Sequence, residues 1–260
     1  GNIYPCTSGN DEGGGKTYTF SGFTVVETGD NPGLFLIQKQ TGDITLNFTN
    51  NVIYQGSSSR YGLYVAGTTS GNVTATITGN TFAPGSATDY PIYWPGGGDN
   101  STITIANNTL LMGRSLIDYS DSTATDVTFT VNNNTITNAN TGAFSISGGN
   151  TLSIYSNTVN AATGTSDGLV SYPRDGSTIA IYDNSITLGD GSSNTGIEVH
   201  DSSNYTLDLY RNIVTGSDIG IWSDNNTNET GVVNIYNNVV YGINSAGIRA
   251  GSGDITYNIF

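Results

Sequence analysis

One short pattern recurs along the chain: an apolar residue, two residues of any kind, an Asn, one more of any kind, then a second apolar residue. The Asn stands at Asn51, Asn80, Asn108, Asn134, Asn157, Asn184, Asn212, Asn238 and Asn258, at intervals of 20 to 29 residues. Three positions before it come Phe48, Ile77, Ile105, Val131, Ile154, Ile181, Leu209, Ile235 and Ile255. Two positions after it come Ile53, Phe82, Leu110, Ile136, Val159, Ile186, Val214, Val240 and Phe260. A further copy opens the series, with Phe20 and Val25 as flanks and Phe23 in the Asn position. A second signal follows many of these anchors. It is Gly before a large apolar residue, as in Gly62-Leu63, Gly168-Leu169, Gly196-Ile197, Gly220-Ile221 and Gly247-Ile248. Between the signals, apolar and polar residues alternate with period two, as in Val127-Thr128-Phe129-Thr130-Val131, which is the pattern of a half-buried strand.

A unit of roughly 26 residues cannot bury its own apolar face and must stack on copies of itself. Coiled into one turn and stacked at about 4.8 Å, it brings like positions into columns. The pattern therefore predicts an all-β chain: a right-handed parallel β-helix (a β-solenoid) of about ten turns over 17–260, preceded by an N-terminal arm over 1–16. Each bend Asn is expected to take a left-handed backbone and to bond both its own main chain and the Asn of the next turn, forming a ladder. The Gly before the second strand is expected to supply the conformational freedom for the next bend.

These repeats resemble the right-handed parallel β-helix superfamily typified by pectate lyases, and most of all the short repeats of NosD-type and carbohydrate-binding β-helix proteins. The resemblance spans Thr17 to Phe260. It implies the fold. Lyases, hydrolases, adhesins, tailspikes and fibre proteins share that fold, so function has to be read from a site. The resemblance also implies that a groove along the helix binds saccharides, through aromatic rings and carboxylates.

Charge narrows the field of partners. The chain carries 7 Lys and Arg against 21 Asp and Glu, for a net charge of −14. Such a surface repels nucleic-acid phosphates and anionic lipid headgroups, and no basic stripe offsets it. No apolar run approaches the ~20 residues of a membrane-spanning helix. Neither nucleic-acid binding nor membrane insertion is expected. The chain begins Gly1-Asn2 rather than with Met, which reads as a processed end, and the expected location is secreted or at the cell surface. Eight Asn-x-Ser/Thr sequons suit an extracellular glycoprotein: Asn47, Asn72, Asn100, Asn107, Asn133, Asn204, Asn225 and Asn228, all on expected loops or outward positions.

Alternation also lets the outward columns be read. Two residues before the anchors stand Tyr155, Tyr182, Tyr210 and Tyr236 on four consecutive turns. They form either a self-stacked ladder or an aromatic platform for a sugar. A second outward column runs Tyr64, Tyr93, Asp118, Ser145, Val170, Glu198, Trp222, Arg249, with Trp94, Tyr119, Tyr172, His200, Asp201 and Asp224 nearby. Glu198, His200 and Asp201, with Trp222 and Asp224 one turn on, make the best local constellation for binding a substrate. Catalytic signatures are absent. A pectate lyase needs a basic residue beside acidic calcium ligands, and Arg249 is the nearest candidate. A polygalacturonase needs paired aspartates and Gly-His-Gly, and neither occurs. Two carboxylates for glycoside hydrolysis would have to come from different turns, Glu198 and Asp224 being one such pair. There is no P-loop, His/Cys metal cluster or nucleophile elbow. Bend aspartates could take calcium, but no dense Asp repeat is present, and no cofactor is expected. Outward threonine pairs (Thr76 with Thr78, Thr102 with Thr104, Thr128 with Thr130) suggest a flat array of the ice-binding kind, broken after Thr130 by Ser153, Ala180 and Asp208.

The ends add an expectation of assembly. Cys6 is the only cysteine, so no internal disulfide is possible. Ile3, Tyr4 and Cys6, joined to the first turn by a Gly-rich hinge, could reach a neighbouring copy's edge. Phe260 falls on an inward position of an incomplete turn, and open strand edges invite association. The leading expectation is an extracellular, glycosylated structural rod that self-associates end to end. The alternative is a carbohydrate-binding or polysaccharide-degrading β-helix protein.

Overall fold

The structure, a computed structural model, describes residues 15–27, 35–37, 42–56, 61–65, 71–96, 98–120, 124–148, 151–161, 167–189, 193–200, 204–224, 230–251 and 254–259. Among the described residues there is no helix. The chain winds into a parallel β-solenoid whose three sheets hold ten, nine and nine strands. The first sheet runs from Lys16–Ser21 to Asp254–Ile259, the second from Thr24–Val26 to Val239–Tyr241, and the third from Phe35–Ile37 to Ala246–Ala250. Strands pair in parallel with their equivalents one turn before and after.

Like stacks on like because each turn presents the same apolar pattern to the interior. Phe20, Phe48, Ile77, Ile105, Val131, Ile154, Ile181, Leu209 and Ile235 form one inward column of the first sheet. Val25, Ile53, Phe82, Leu110, Ile136, Val159, Ile186, Val214 and Val240 form the column of the second. From Phe48 to Ile235 and from Ile53 to Val214 these side chains are buried. Where the Phe residues meet, Phe35 lies edge-on to Phe48 at 4.9 Å, a favoured arrangement of ring quadrupoles. The last repeat departs from the expected register. Ile259 pairs with Ile235 and Asn258 with Asn234, while Ile255 pairs with Gly231. Asn258 is therefore an outward residue, 24 positions on from Asn234, and not a ladder Asn. A slip of four residues preserves the period-two alternation, so parity could not reveal it. Phe260 lies outside the described residues, as do Ile3, Tyr4, Cys6 and the rest of the expected arm.

The Asn ladder forms over eight turns, from Asn51 to Asn238. Each ladder Asn from Asn51 to Asn212 donates both its main-chain N–H and its Nδ2 to the Oδ1 of the next, at 2.9 to 3.1 Å. Its Nδ2 also donates to the carbonyl of the inward residue one turn back, such as Asn184 to the Ile154 carbonyl. Phe23, without a side-chain amide, begins the ladder by giving its N–H to Asn51 Oδ1. The expected left-handed backbone is displaced by one residue. Asn50, Asn107, Asn133, Ser156, Asp183, Arg211 and Asn237, each just before a ladder Asn, have φ of 53° to 56°, and Gly22 and Gly79 serve the same place. The chain reverses there so that the following amide can turn inward, where burial makes its bonds obligatory.

The glycines of the third sheet also act differently from expectation. Gly168, Gly196 and Gly220 do not adopt positive φ. Their requirement is space. A Cβ on Gly196 would lie 2.1 Å from Val214 Cγ1 and 2.5 Å from the Gly220 carbonyl oxygen, and one on Gly168 would lie 2.1 Å from the Gly196 carbonyl. Adjacent turns approach too closely for any side chain.

The outward threonines Thr76, Thr104 and Thr130 stack in one column, which passes to Ser153, Ala180 and Asp208 as expected, and Thr78 pairs with Ala106. The continuous column is Thr17, Thr45, Thr74, Thr102, Thr128, Thr151, Thr178 and Thr206, which ends at Val232. These residues face outward, where a β-branched side chain suits the pleat.

Candidate functional site

The outward face of the third sheet gathers the chemistry. Its column of Tyr64, Tyr93, Asp118, Ser145, Val170, Glu198, Trp222 and Arg249 is continuous in the strand register. In Thr195–His200, Ile197 and Val199 point into the core, so Glu198 and His200 fall on the outer face. The next strand, Ile219–Asp224, does the same with Trp222 and Asp224. Register places His200 beside Asp224 and Glu198 beside Trp222.

The imidazole of His200 is held on both sides. Its Nε2 lies 2.8 Å from Glu198 Oε1 and its Nδ1 lies 3.3 Å from Asp224 Oδ2. Only the imidazolium form has an N–H on both nitrogens to give. One ring face stacks on Tyr172, with centroids 4.7 Å apart and planes 5° from parallel, and Trp222 lies tilted at 6.0 Å. The Arg249 guanidinium sits 4.5 Å over the Trp222 ring, a cation–π contact. Glu198 is only 5% exposed. It hydrogen-bonds Asp167, the first residue of Asp167–Tyr172, whose Oδ1 accepts the Thr195 N–H at 2.8 Å. Burial, together with the Glu198 charge, pushes the Asp167 carboxyl up to about 7, against the pull of the Thr195 N–H and His200. Two carboxyls in contact do not readily both carry charge, which favours the protonated form of Asp167.

This raised carboxyl has a consequence for stability. Unfolded, Asp167 ionises near 3.8; folded, it holds its proton up to about 7. Its contribution is complete below the unfolded value and is lost as pH rises through the folded one. Asp167→Asn keeps the acceptor for Thr195 and mimics the protonated acid. It should match the wild type at about pH 4 and exceed it at about pH 8, by on the order of 3 kcal/mol. Urea denaturation at the two pH values measures this, and a pH-independent difference would contradict the raised Asp167 carboxyl.

Four turns toward the N-terminus, the same face carries a cluster of half-buried rings. Tyr61 stacks on Tyr93 at 4.7 Å, Tyr64 on Tyr93 at 5.6 Å, and Tyr90 tilts against Tyr93 at 5.1 Å. Desolvation by burial raises the phenols of Tyr64, Tyr90 and Tyr93. Arg114 lies 4.8 Å over Tyr90 and 3.9 Å from Asp118. Burial raises the Asp118 carboxyl, and Arg114 opposes the rise.

Glu198, His200, Trp222 and Asp224 are thus brought together as the sequence suggested, while Asp201 lies outside the described residues. Trp94 and Tyr119, expected near this groove, are wholly buried in the core, since each stands one residue past an outward position. Asp167, Tyr61, Tyr90 and Arg114 were missed. Each precedes the alternating stretch used to read the column, where parity gives no guidance.

The tyrosines of the first sheet form their own ladder. Tyr155, Tyr182, Tyr210 and Tyr236 stack at 4.9 to 5.0 Å with planes within 5° of parallel. Each inner ring face is covered by the next, so the ladder presents edges and hydroxyls outward. Arg211 covers Tyr210 at 4.7 Å and pairs with Asp183 at 2.6 Å. That pair holds the Asp183 carboxyl below its usual range. Of the sequons, Asn72, Asn100, Asn107, Asn133 and Asn204 are exposed, and Asn47 is half-buried within Ile44–Thr49. Asn225 and Asn228 lie outside the described residues. Among the described residues no group of His, Cys, Asp and Glu is arranged to hold a metal ion.

Compared with family models, curated proteins and solved structures, the chain finds no match in any of the three.

Proposed function

We propose that the protein is an extracellular, glycosylated β-solenoid that binds polysaccharide on the outward face of its third sheet. The observation that carries this reading is the Glu198–His200–Asp224 cluster set between Tyr172, Trp222 and Arg249. Carboxylates accept bonds from sugar hydroxyls, imidazole and guanidinium donate to them, and ring faces cover the apolar faces of pyranoses. The resemblance to pectate-lyase-like and NosD-type repeats points the same way, as do the exposed sequons at the bends.

Binding is favoured over cleavage. Glu198 and Asp224 are both bonded to His200, and Asp167 and Glu198 are in hydrogen-bond contact. The two working carboxyls of a glycosidase stand about 5 Å or more apart. Arg114, which does meet a carboxylate, is engaged with Asp118 and Tyr90. Affinity electrophoresis through gels containing neutral polysaccharides tests the reading. The wild type should be retarded by at least one of them, and His200→Ala and Trp222→Ala should run as in the plain gel. Unretarded migration of the wild type in every gel would contradict it.

A second reading, a structural rod stacked end to end, draws on one observation. Val239, Tyr241, Ile248 and Ile259 are exposed at the last described turn, an apolar surface that a further turn would cover, whether from this polypeptide or from another copy. Among the described residues nothing accepts the Asn238 N–H. A second copy stacked there would offer Phe23, which has no side-chain acceptor. The ladder would be interrupted at the junction, which disfavours such stacking.

A further inference from the structure

The ladder amides show how fully this chain satisfies its buried polar groups. Glu27 is an exception. It follows the strand Thr24–Val26 at the corner between the second and third sheets, where alternation turns it inward with Val25. It is 9% exposed, and both of its carboxylate oxygens are buried with no hydrogen-bond partner. A buried carboxylate is costly unless a cation meets it. Other oxygens gather at the same corner. Glu27 gives its N–H to the Tyr54 carbonyl at 2.9 Å, which sets Gln55 beside it on the second turn. Gln55 is buried, and its Oε1 occupies space that Gly62 leaves open: a Cβ on Gly62 would lie 3.3 Å from that oxygen. On the third turn the equivalent place holds Pro84, and the carboxylate comes from Asp89, just before Tyr90–Trp94. Asp89 is buried and its Oδ2 accepts the Ser86 N–H at 3.0 Å. Burial raises the Asp89 carboxyl, the Ser86 N–H opposes the rise, and the charge of Glu27 adds to it. The two carboxylates are thus near enough to repel each other.

We propose that Glu27 and Asp89, with the Gln55 amide oxygen, form an internal calcium site that ties the first three turns of the solenoid together. An ion there supplies the partner that the Glu27 oxygens lack and cancels the repulsion with Asp89. The donors are all oxygen, which selects a hard cation over zinc or copper. Only two carboxylates meet here, so this is not a cluster of three acidic ligands. Ca2+ takes about six to eight oxygens in flexible geometry and accepts amide and peptide carbonyls and water among them. Mg2+ demands a near-ideal octahedron and parts with its water reluctantly, and side chains drawn from three separate turns suit the larger ion. A net charge of −14 on the chain favours the approach of any cation. The site lies inside the solenoid, apart from the outward face of the third sheet. It acts at the end where stacking is weakest, because among the described residues the first strand of each sheet has a neighbour on one side only.

The test uses the full chain stripped with EDTA and then given Ca2+, Mg2+ or Tb3+, the last read by luminescence excited through the aromatic rings, of which Tyr90 adjoins Asp89. Millimolar Ca2+ should raise the melting temperature by about 5 °C and displace Tb3+, and Mg2+ should do neither. Glu27→Gln should weaken Tb3+ binding at least tenfold and remove most of the thermal shift. Its ion-free form should melt no lower than the ion-free wild type, since the amide carries no unpaired charge. Asp89→Asn, whose Oδ1 can still accept the Ser86 N–H, should lose the response in the same way. Asp175→Asn, an exposed carboxylate far along the chain, is the control and should keep it. A wild-type melting temperature indifferent to Ca2+ would overturn the proposal. So would a full Ca2+ response in Glu27→Gln and Asp89→Asn, which would put the ion elsewhere. An equal response to Mg2+ would overturn the assignment to calcium. No saccharide enters the measurement, so its outcome stands apart from that of saccharide binding.

Discussion

Ile181→Asp is expected to abolish the cooperative fold. Ile181 is wholly buried in the inward column between Ile154 and Leu209. A carboxylate there is shut off from solvent and faces the apolar side chains of its column. Leaving it unpaired costs on the order of 5 kcal/mol, a large part of the stability of a typical domain. The neighbouring turns lose the surface they stack on, so the damage spreads along the column. Thr178→Asp, an exposed position on the same strand, is the control and should change stability by less than about 0.5 kcal/mol. Far-UV circular dichroism on heating distinguishes the two. A Thr178 variant as damaged as the Ile181 variant would mean that the faces of this strand are assigned the wrong way round.

Asn157→Ala should be nearly as harmful, although it removes only a small polar group. Asn157 Oδ1 accepts from both the N–H and the Nδ2 of Asn134, and its own Nδ2 donates to Asn184 Oδ1 and to the Val131 and Tyr155 carbonyls. Alanine leaves the buried Asn134 N–H without an acceptor. The expected loss is on the order of 3 kcal/mol, the scale of stranding one or two buried polar groups. Asn157→Asp should be worse near neutral pH, because an acceptor then faces the oxygens that Nδ2 had served. It should recover in part on acidification, when the carboxyl regains a donor. Denaturant melts at two pH values measure both variants. A cost for Asn157→Ala no larger than that of an exposed Asn→Ala change would show that the ladder is not a source of stability.

Much of this architecture was legible because stacking forces repetition. Phe48 to Ile235 could be aligned without coordinates, since a position that faces inward on one turn must face inward on the next. The same logic found Tyr155 to Tyr236 and the column from Tyr64 to Arg249. It failed where alternation carries no information. The register of Asn258 slipped by four residues without disturbing parity. The glycine column was legible as a pattern, but its cause, the contact between Gly196 and Val214 of the next turn, was not. At the site, Glu198, His200, Trp222 and Asp224 were visible because they alternate within strands. Asp167 was hidden, because its importance comes from a hydrogen bond across turns to Glu198 and from burial, which spacing does not encode.

The two tryptophans offer a direct test of saccharide binding, because Trp94 is wholly buried while Trp222 faces outward beneath Arg249. Fluorescence titration with a panel of oligosaccharides should give a saturable change in tryptophan emission with at least one of them, and Trp222→Phe should abolish it while the fold, judged by circular dichroism, remains intact. An emission that stays constant with every saccharide, or a change that survives Trp222→Phe unaltered, would contradict binding at this face.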